Sequence, residues 1–142
     1  AARSTEPYDD AAARAQPQAC SFSRPDPAAV GLDYLHTMAV DADGYARAAL
    51  VNRGLAGGLW LSLRFSASTL PFLNEWKMLN EVDYVVGIEP VNTKTVNRAI
   101  LRSEGRLPMI EPGGERVMEV EFGVLEGAAE IDAFAREIRR AT

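Results

Sequence analysis

Two stretches of strict two-residue alternation constrain this chain most. In the first, Leu59, Leu61, Leu63 and Phe65 alternate with Trp60, Ser62, Arg64 and Ser66. In the second, running from Arg116 to Val124, Met118, Val120, Phe122 and Val124 alternate with Glu119, Glu121 and Gly123. Successive side chains of a strand point to opposite faces, so each pattern predicts a half-buried β-strand with its apolar set turned inward. Trp60 falls on the face away from the leucines, where it either covers a second apolar layer or lines a surface.

Further strands follow from composition and punctuation. Residues 32–40 are rich in strand formers, Asp41-Ala42-Asp43-Gly44 reads as a turn, and residues 45–52 lead back, which predicts a hairpin over 33–53. Residues 70–78 form a less regular strand, with Pro71 suited to its start. Phe72, Asn74, Trp76 and Met78 share one face of it, and Leu73, Glu75, Lys77 and Leu79 share the other. Residues 82–88 make a compact apolar strand ended by Glu89-Pro90. Residues 97–103 predict a short helix closed by Gly105, and Pro112-Gly113 a turn. The period then changes. Ile131, Phe134, Ala135 and Ile138 recur at helical spacing, while Arg136, Glu137, Arg139 and Arg140 fall mostly on the solvent side, so a helix is expected over about 128–141. At least five strands and one terminal helix imply a mainly β, predominantly antiparallel architecture.

Residues 1–30 are rich in Ala, Pro and Asp, and Pro7, Pro17, Pro25 and Pro27 interrupt any long helix. They are expected to form an extended or covering arm in front of a β-sandwich domain over 31–142. A net charge of −5, from 20 acidic against 15 basic side chains, argues against a nucleic-acid partner. No run approaches 18 apolar residues, so no transmembrane helix is expected and no membrane partner is implied. Cys20 is the single cysteine, which excludes an intrachain disulfide and a thiolate metal cluster. A reducing, cytoplasmic setting is expected, since the N-terminal residues also lack the basic region and apolar run of a signal peptide.

The candidate chemistry is concentrated between Asn74 and Pro90. Glu89 follows an apolar run that anchors its backbone, so its carboxylate suits a general base, or else a strand-end acid paired with an arginine or with backbone amides. Glu75 and Lys77 share a strand face and point together to a cleft or to bulk water. Trp76 points the other way, either inward or toward a ligand on which it stacks. His36, the only histidine, suits a hydrogen-bonded structural role. One histidine and one distant cysteine offer no metal-ligand spacing, so no metal is expected. The turn carrying Asp41 and Asp43 is too short for a calcium loop and lacks its terminal bidentate glutamate, and Gly54, Gly57 and Gly58 match no phosphate-binding motif.

The stretches Asn74-Glu75-Trp76-Lys77-Met78-Leu79 and Tyr84-Val85-Val86-Gly87-Ile88-Glu89-Pro90, with the later Pro112-Gly113-Gly114-Glu115 turn leading into an alternating strand, resemble a known group. Residues 30–125 are similar to the C-terminal part of bacterial proteins of the aldose 1-epimerase, or galactose mutarotase-like, superfamily, in a branch of unassigned function. The resemblance implies a β-supersandwich binding a sugar or sugar derivative in an open cleft, with no cofactor. It implies Glu89 as the catalytic base and Asn74, Glu75, Trp76 and Lys77 as substrate-binding or cleft-supporting residues. It also implies that the histidines of such epimerases lie upstream of this region, since His36 does not match them in context. The chain is therefore expected to associate with a missing N-terminal half or with a second copy. The alternative is a non-catalytic carbohydrate-binding or structural β-domain that associates through its exposed sheet.

Overall fold

The structure, a computed structural model, describes residues 2–55 and 57–140, and of Arg139 and Arg140 the backbone alone. In chain order the elements are β1 (Ala2–Pro7), α1 (Asp10–Ala15), β2 (Leu32–Met38), β3 (Tyr45–Asn52), β4 (Leu59–Ser66), β5 (Phe72–Leu79), β6 (Tyr84–Val91), α2 (Arg98–Ser103), β7 (Val120–Glu126) and α3 (Ala128–Arg140), with a short 3-10 turn at Gln16–Gln18 after α1. They divide into two compact units.

The first unit comprises residues 2–37 and 72–109. Its sheet runs in the order β1-β2-β5-β6. β5 pairs antiparallel with both β2 and β6. β5 and β6 form a hairpin turned at residues 80–83, where the Asn80 side chain accepts from the Val82 amide at 3.1 Å. β6 runs through Glu89 and Pro90 to Val91, past the strand end expected at Ile88. Its place at the sheet edge explains why: an edge strand has one side without a partner, so the donor that proline lacks is not missed. α1 starts where Asp9, in extended backbone, accepts from the Ala12 amide at 2.8 Å, and Ala12 packs with Ala19, Tyr34 and Leu32. In α2 the cap is Asn97, which accepts from the Ala99 amide.

The second unit comprises residues 38–71 and 110–140. Its antiparallel sheet runs β3-β4-β7. α3 lies against the face that carries Trp60 and Arg47: Phe134 meets Trp60 edge-on with centroids 6.0 Å apart, and Glu137 pairs with Arg47 at 2.9 Å. Trp60 thus covers a second apolar layer, one of the two roles open to it from sequence. Ile131 is buried, and a side chain at Gly58 would come within 2.6 Å of its Cδ1. The expected helix end at Ala141 and the outward placement of the Arg139 and Arg140 side chains lie outside the described residues.

Two local expectations are corrected. Residues 33–53 do not pair as a hairpin, because β2 joins one sheet and β3 the other. The turn itself forms. Gly44 takes φ of 81°, and the Asp41 carboxylate accepts from the amides of Asp43 and Tyr45. Beyond it the ladder stops at a single Val40–Ala46 bridge. The strand expected from Arg116 starts at Val120, and its apolar set is not inward. Phe122 and Val124 are 72% and 62% exposed, and Leu61, opposite Val124, is 38% exposed. Leu63, Phe65 and Ala46 on the same face are buried, so only the β7 side of that face is exposed: alternation fixes which residues share a face but not how far the face is covered. Among the described residues, no helix is long and apolar enough to cross a membrane.

Candidate active site

The register of the four-stranded sheet separates its polar residues onto two faces. Opposite residues of paired strands share a face. Asp33 faces Trp76, Leu35 faces Asn74, Asn74 faces Glu89 and Trp76 faces Gly87. Asp33, Asn74, Trp76, Gly87 and Glu89 therefore stand on one face. Tyr34, His36, Glu75 and Lys77 stand on the other.

The second face is closed by the N-terminal segment. Lys77, 2% exposed, donates to three backbone carbonyls, those of Gln18 at 2.9 Å, Ala19 at 2.5 Å and Ser21 at 3.0 Å. Those bonds use all three ammonium protons. The cation also lies 3.7 Å from Glu75 Oε1 and over the rings of Phe22 and Tyr34. Glu75 Oε2 meets His36 Nε2 at 2.9 Å, and His36 Nδ1 meets Thr5 Oγ1 at 2.9 Å. A carboxylate only accepts, so Nε2 carries the proton toward Glu75, and in the neutral ring Nδ1 accepts from Thr5. His36 is thus the hydrogen-bonded structural histidine expected from sequence. The Tyr34 hydroxyl is pushed up in pKa, first by burial and then by Glu75 and Asp9. A cavity of about 330 Å³ beside this segment is lined by Phe22, Leu32 and Leu79, with Lys77 as its charged residue. Cys20 is exposed and free, yet local burial and the Glu75 carboxylate push its thiol up, which disfavours a thiolate nucleophile.

The first face presents Glu89, which is exposed, beside Asn74, which is 2% exposed. Asn74 Nδ2 donates to Glu89 Oε2 at 3.2 Å. Asp33, half-buried, is held above the ordinary carboxylate range. Burial is the main cause; a hydrogen bond from the Asn74 side chain acts against it, and the Glu89 and Asp9 carboxylates add to it. An amide set between two acids next to a half-buried tryptophan can orient both carboxyl groups toward a ligand. It also offers an aromatic plane against which a polyol ring could lie.

Of the residues singled out from sequence, Asn74, Trp76 and Glu89 stand together on this face, where Glu89 is exposed, Trp76 half-buried and Asn74 buried. Glu75 and Lys77 do not face bulk water but lie buried under residues 18–23, with Lys77 bordering the cavity beside that segment. Asp33 was missed. Its only signal was a carboxylate set between Leu32 and Tyr34 inside an apolar strand, where a charge needs a partner. Among the described residues no cluster of three or more histidine, cysteine or acidic side chains could hold a metal ion.

Among the described residues, seven strands lie in two sheets, every strand pair whose register is given above is antiparallel, and one helix follows the last strand; the chain has a mainly β, galactose mutarotase-like fold. Residues 1–124 match the profile of the family described as Domain of unknown function (DUF4432), and the chain belongs to that family. The fold is shared with a crystal structure of a Klebsiella pneumoniae subsp. pneumoniae MGH 78578 protein provisionally named an aldose 1-epimerase. The TM-score is 0.89 at 23% identity, over 99% of this chain and 36% of that one. The chain thus spans little more than a third of that relative's length. No curated protein matches it.

Proposed function

We propose that this chain carries the base side of a sugar-binding cleft in a longer aldose 1-epimerase-like protein. The observation that carries the proposal is the Glu89 carboxylate, exposed on the edge strand β6 and held by the buried Asn74 amide. Glu89 removes the proton of the anomeric hydroxyl. The bond between C1 and the ring oxygen breaks as that oxygen is protonated, giving the open aldehyde, and reclosure on either face of the carbonyl gives either anomer. Trp76 stacks against the sugar and Asp33 hydrogen-bonds one of its hydroxyls. Glu75 and Lys77 support the sheet from behind. His36 is committed on both nitrogens on the opposite face, so the acid that protonates the ring oxygen is supplied from outside this chain. The chemistry needs only an acid and a base, so we propose no cofactor, and we place the protein in the cytoplasm, where Cys20 stays reduced.

The test is anomer interconversion by the full gene-encoded polypeptide, followed by polarimetry or NMR on neutral aldoses. Glu89→Gln is expected to lose the catalysed rate while keeping the wild-type unfolding midpoint. A general base contributes roughly 10²–10⁴-fold, so the loss should fall in that range. A variant as fast as the wild type removes Glu89 from the role. The second reading is a non-catalytic carbohydrate-binding domain, favoured by the lack of a paired acid for Glu89 other than Asp33 among the described residues. It predicts saturable sugar binding with no acceleration.

A further inference from the structure

Building on Glu89 as the base, we propose that Gly87 and Asn74 are positioning residues that set where its carboxylate stands. Gly87 leaves the space that Oε1 of the carboxylate occupies, and Asn74 holds the carboxylate through Oε2.

Gly87 lies inside β6, among Val85, Val86 and Ile88, where glycine weakens a strand. The usual reasons for a strand glycine are absent. Its φ is not in the left-handed region, and the ladder runs through it without a bulge, Trp76 pairing with Gly87 between Glu75–Ile88 and Lys77–Val86. The remaining reason is space. A Cβ at position 87 would lie 2.5 Å from Glu89 Oε1, 3.3 Å from its Cδ and 3.6 Å from its Cγ. Glu89 is two residues farther along the strand on the same face, and its side chain folds back over position 87. Its two oxygens are thereby placed from different directions, Oε1 over the glycine and Oε2 on the Asn74 amide at 3.2 Å. Asn74 is itself fixed by burial in a central strand, and its Oδ1 accepts no hydrogen bond from the described residues. Any side chain at 87 must push the carboxylate away. The displaced atoms are the free end of a flexible side chain, so the fold is spared and only the base moves.

The experiment compares Gly87→Ala, Asn74→Leu and Glu89→Gln in the full gene-encoded polypeptide. A displacement of about 1 Å at a reacting group costs on the order of 10²-fold, so Gly87→Ala is expected to lower kcat by roughly that factor with KM little changed. Its unfolding midpoint should equal or exceed that of the wild type, because alanine restricts the unfolded chain more than glycine does. A purely structural role for Gly87 predicts the reverse, a lower midpoint with kcat intact. If Glu89→Gln is inactive while Gly87→Ala and Asn74→Leu turn over at the wild-type rate, the positioning inference is overturned and the base assignment stands. If Glu89→Gln keeps its rate, the base assignment fails instead. The ¹³C resonance of the Glu89 carboxyl decides the positioning independently of turnover. It is expected to move in both Gly87→Ala and Asn74→Leu while the Glu104 carboxyl stays in place. A Glu89 resonance unmoved in both variants overturns the inference.

Discussion

Asp33 and Glu89 share one face of β2, β5 and β6, with the Asn74 amide beside them, and the fold treats the two acids differently. Glu89 is exposed and receives an Asn74 proton. Asp33 is half-buried and raised in pKa, chiefly by that burial. A carboxyl raised on folding gives stability that is fully present below its unfolded pKa and is lost as pH rises through the folded value. Above the folded value, the cost of ionising the half-buried Asp33 therefore opposes folding. Asp33→Asn is expected to raise the thermal midpoint at pH 7, with the difference closing as pH falls below the ordinary carboxylate range. A midpoint difference independent of pH would show that the variant acts through packing rather than charge. Asp33 was legible only as an acid inside an apolar strand. What it meets there depends on β5 and β6, which lie about forty residues and more away along the chain.

At the scale of elements, Lys77 ties residues 18–23 to the back of the four-stranded sheet. Three carbonyls from the segment converge on one ammonium, and the Tyr84 hydroxyl adds a 2.6 Å bond to the Ser23 carbonyl. Lys77→Met keeps the length of the side chain but leaves Glu75 buried without its cation. Breaking one side of a buried ion pair costs about 3–5 kcal/mol. The expected result is a loss of that order in urea unfolding, with faster amide exchange and proteolysis across residues 18–23. Unchanged stability with a protected segment would show that the Lys77 contacts contribute little. The alternation around Glu75 and Lys77 correctly put both on one face. It could not show that this face is the buried one, because the segment that covers it precedes Lys77 by more than fifty residues and is bound through backbone carbonyls, which carry no sequence signature.

In the whole molecule, the face of the β3-β4-β7 sheet that buries Leu63 and Phe65 leaves Leu61, Phe122 and Val124 exposed to solvent. Contiguous exposed apolar surface marks a contact site or an association liability. The isolated 142-residue chain is therefore expected to self-associate, and Phe122→Ser with Val124→Ser to shift it toward monomer in sedimentation velocity. A wild-type chain that stays monomeric at high concentration would count against an adhesive face. By itself the sequence determined the strand periods, the terminal helix, the Gly44 turn and the side-chain set on each strand face, because these depend on neighbours one to four residues away. It also carried the resemblance that singled out Glu89. Only the tertiary structure decided the strand partners, the separation of β2 from β3, the burial of Glu75 and Lys77, and the meeting of Asp33, Asn74, Gly87 and Glu89. Those depend on hydrogen-bond register and on coverage by distant segments, and local alternation leaves both open.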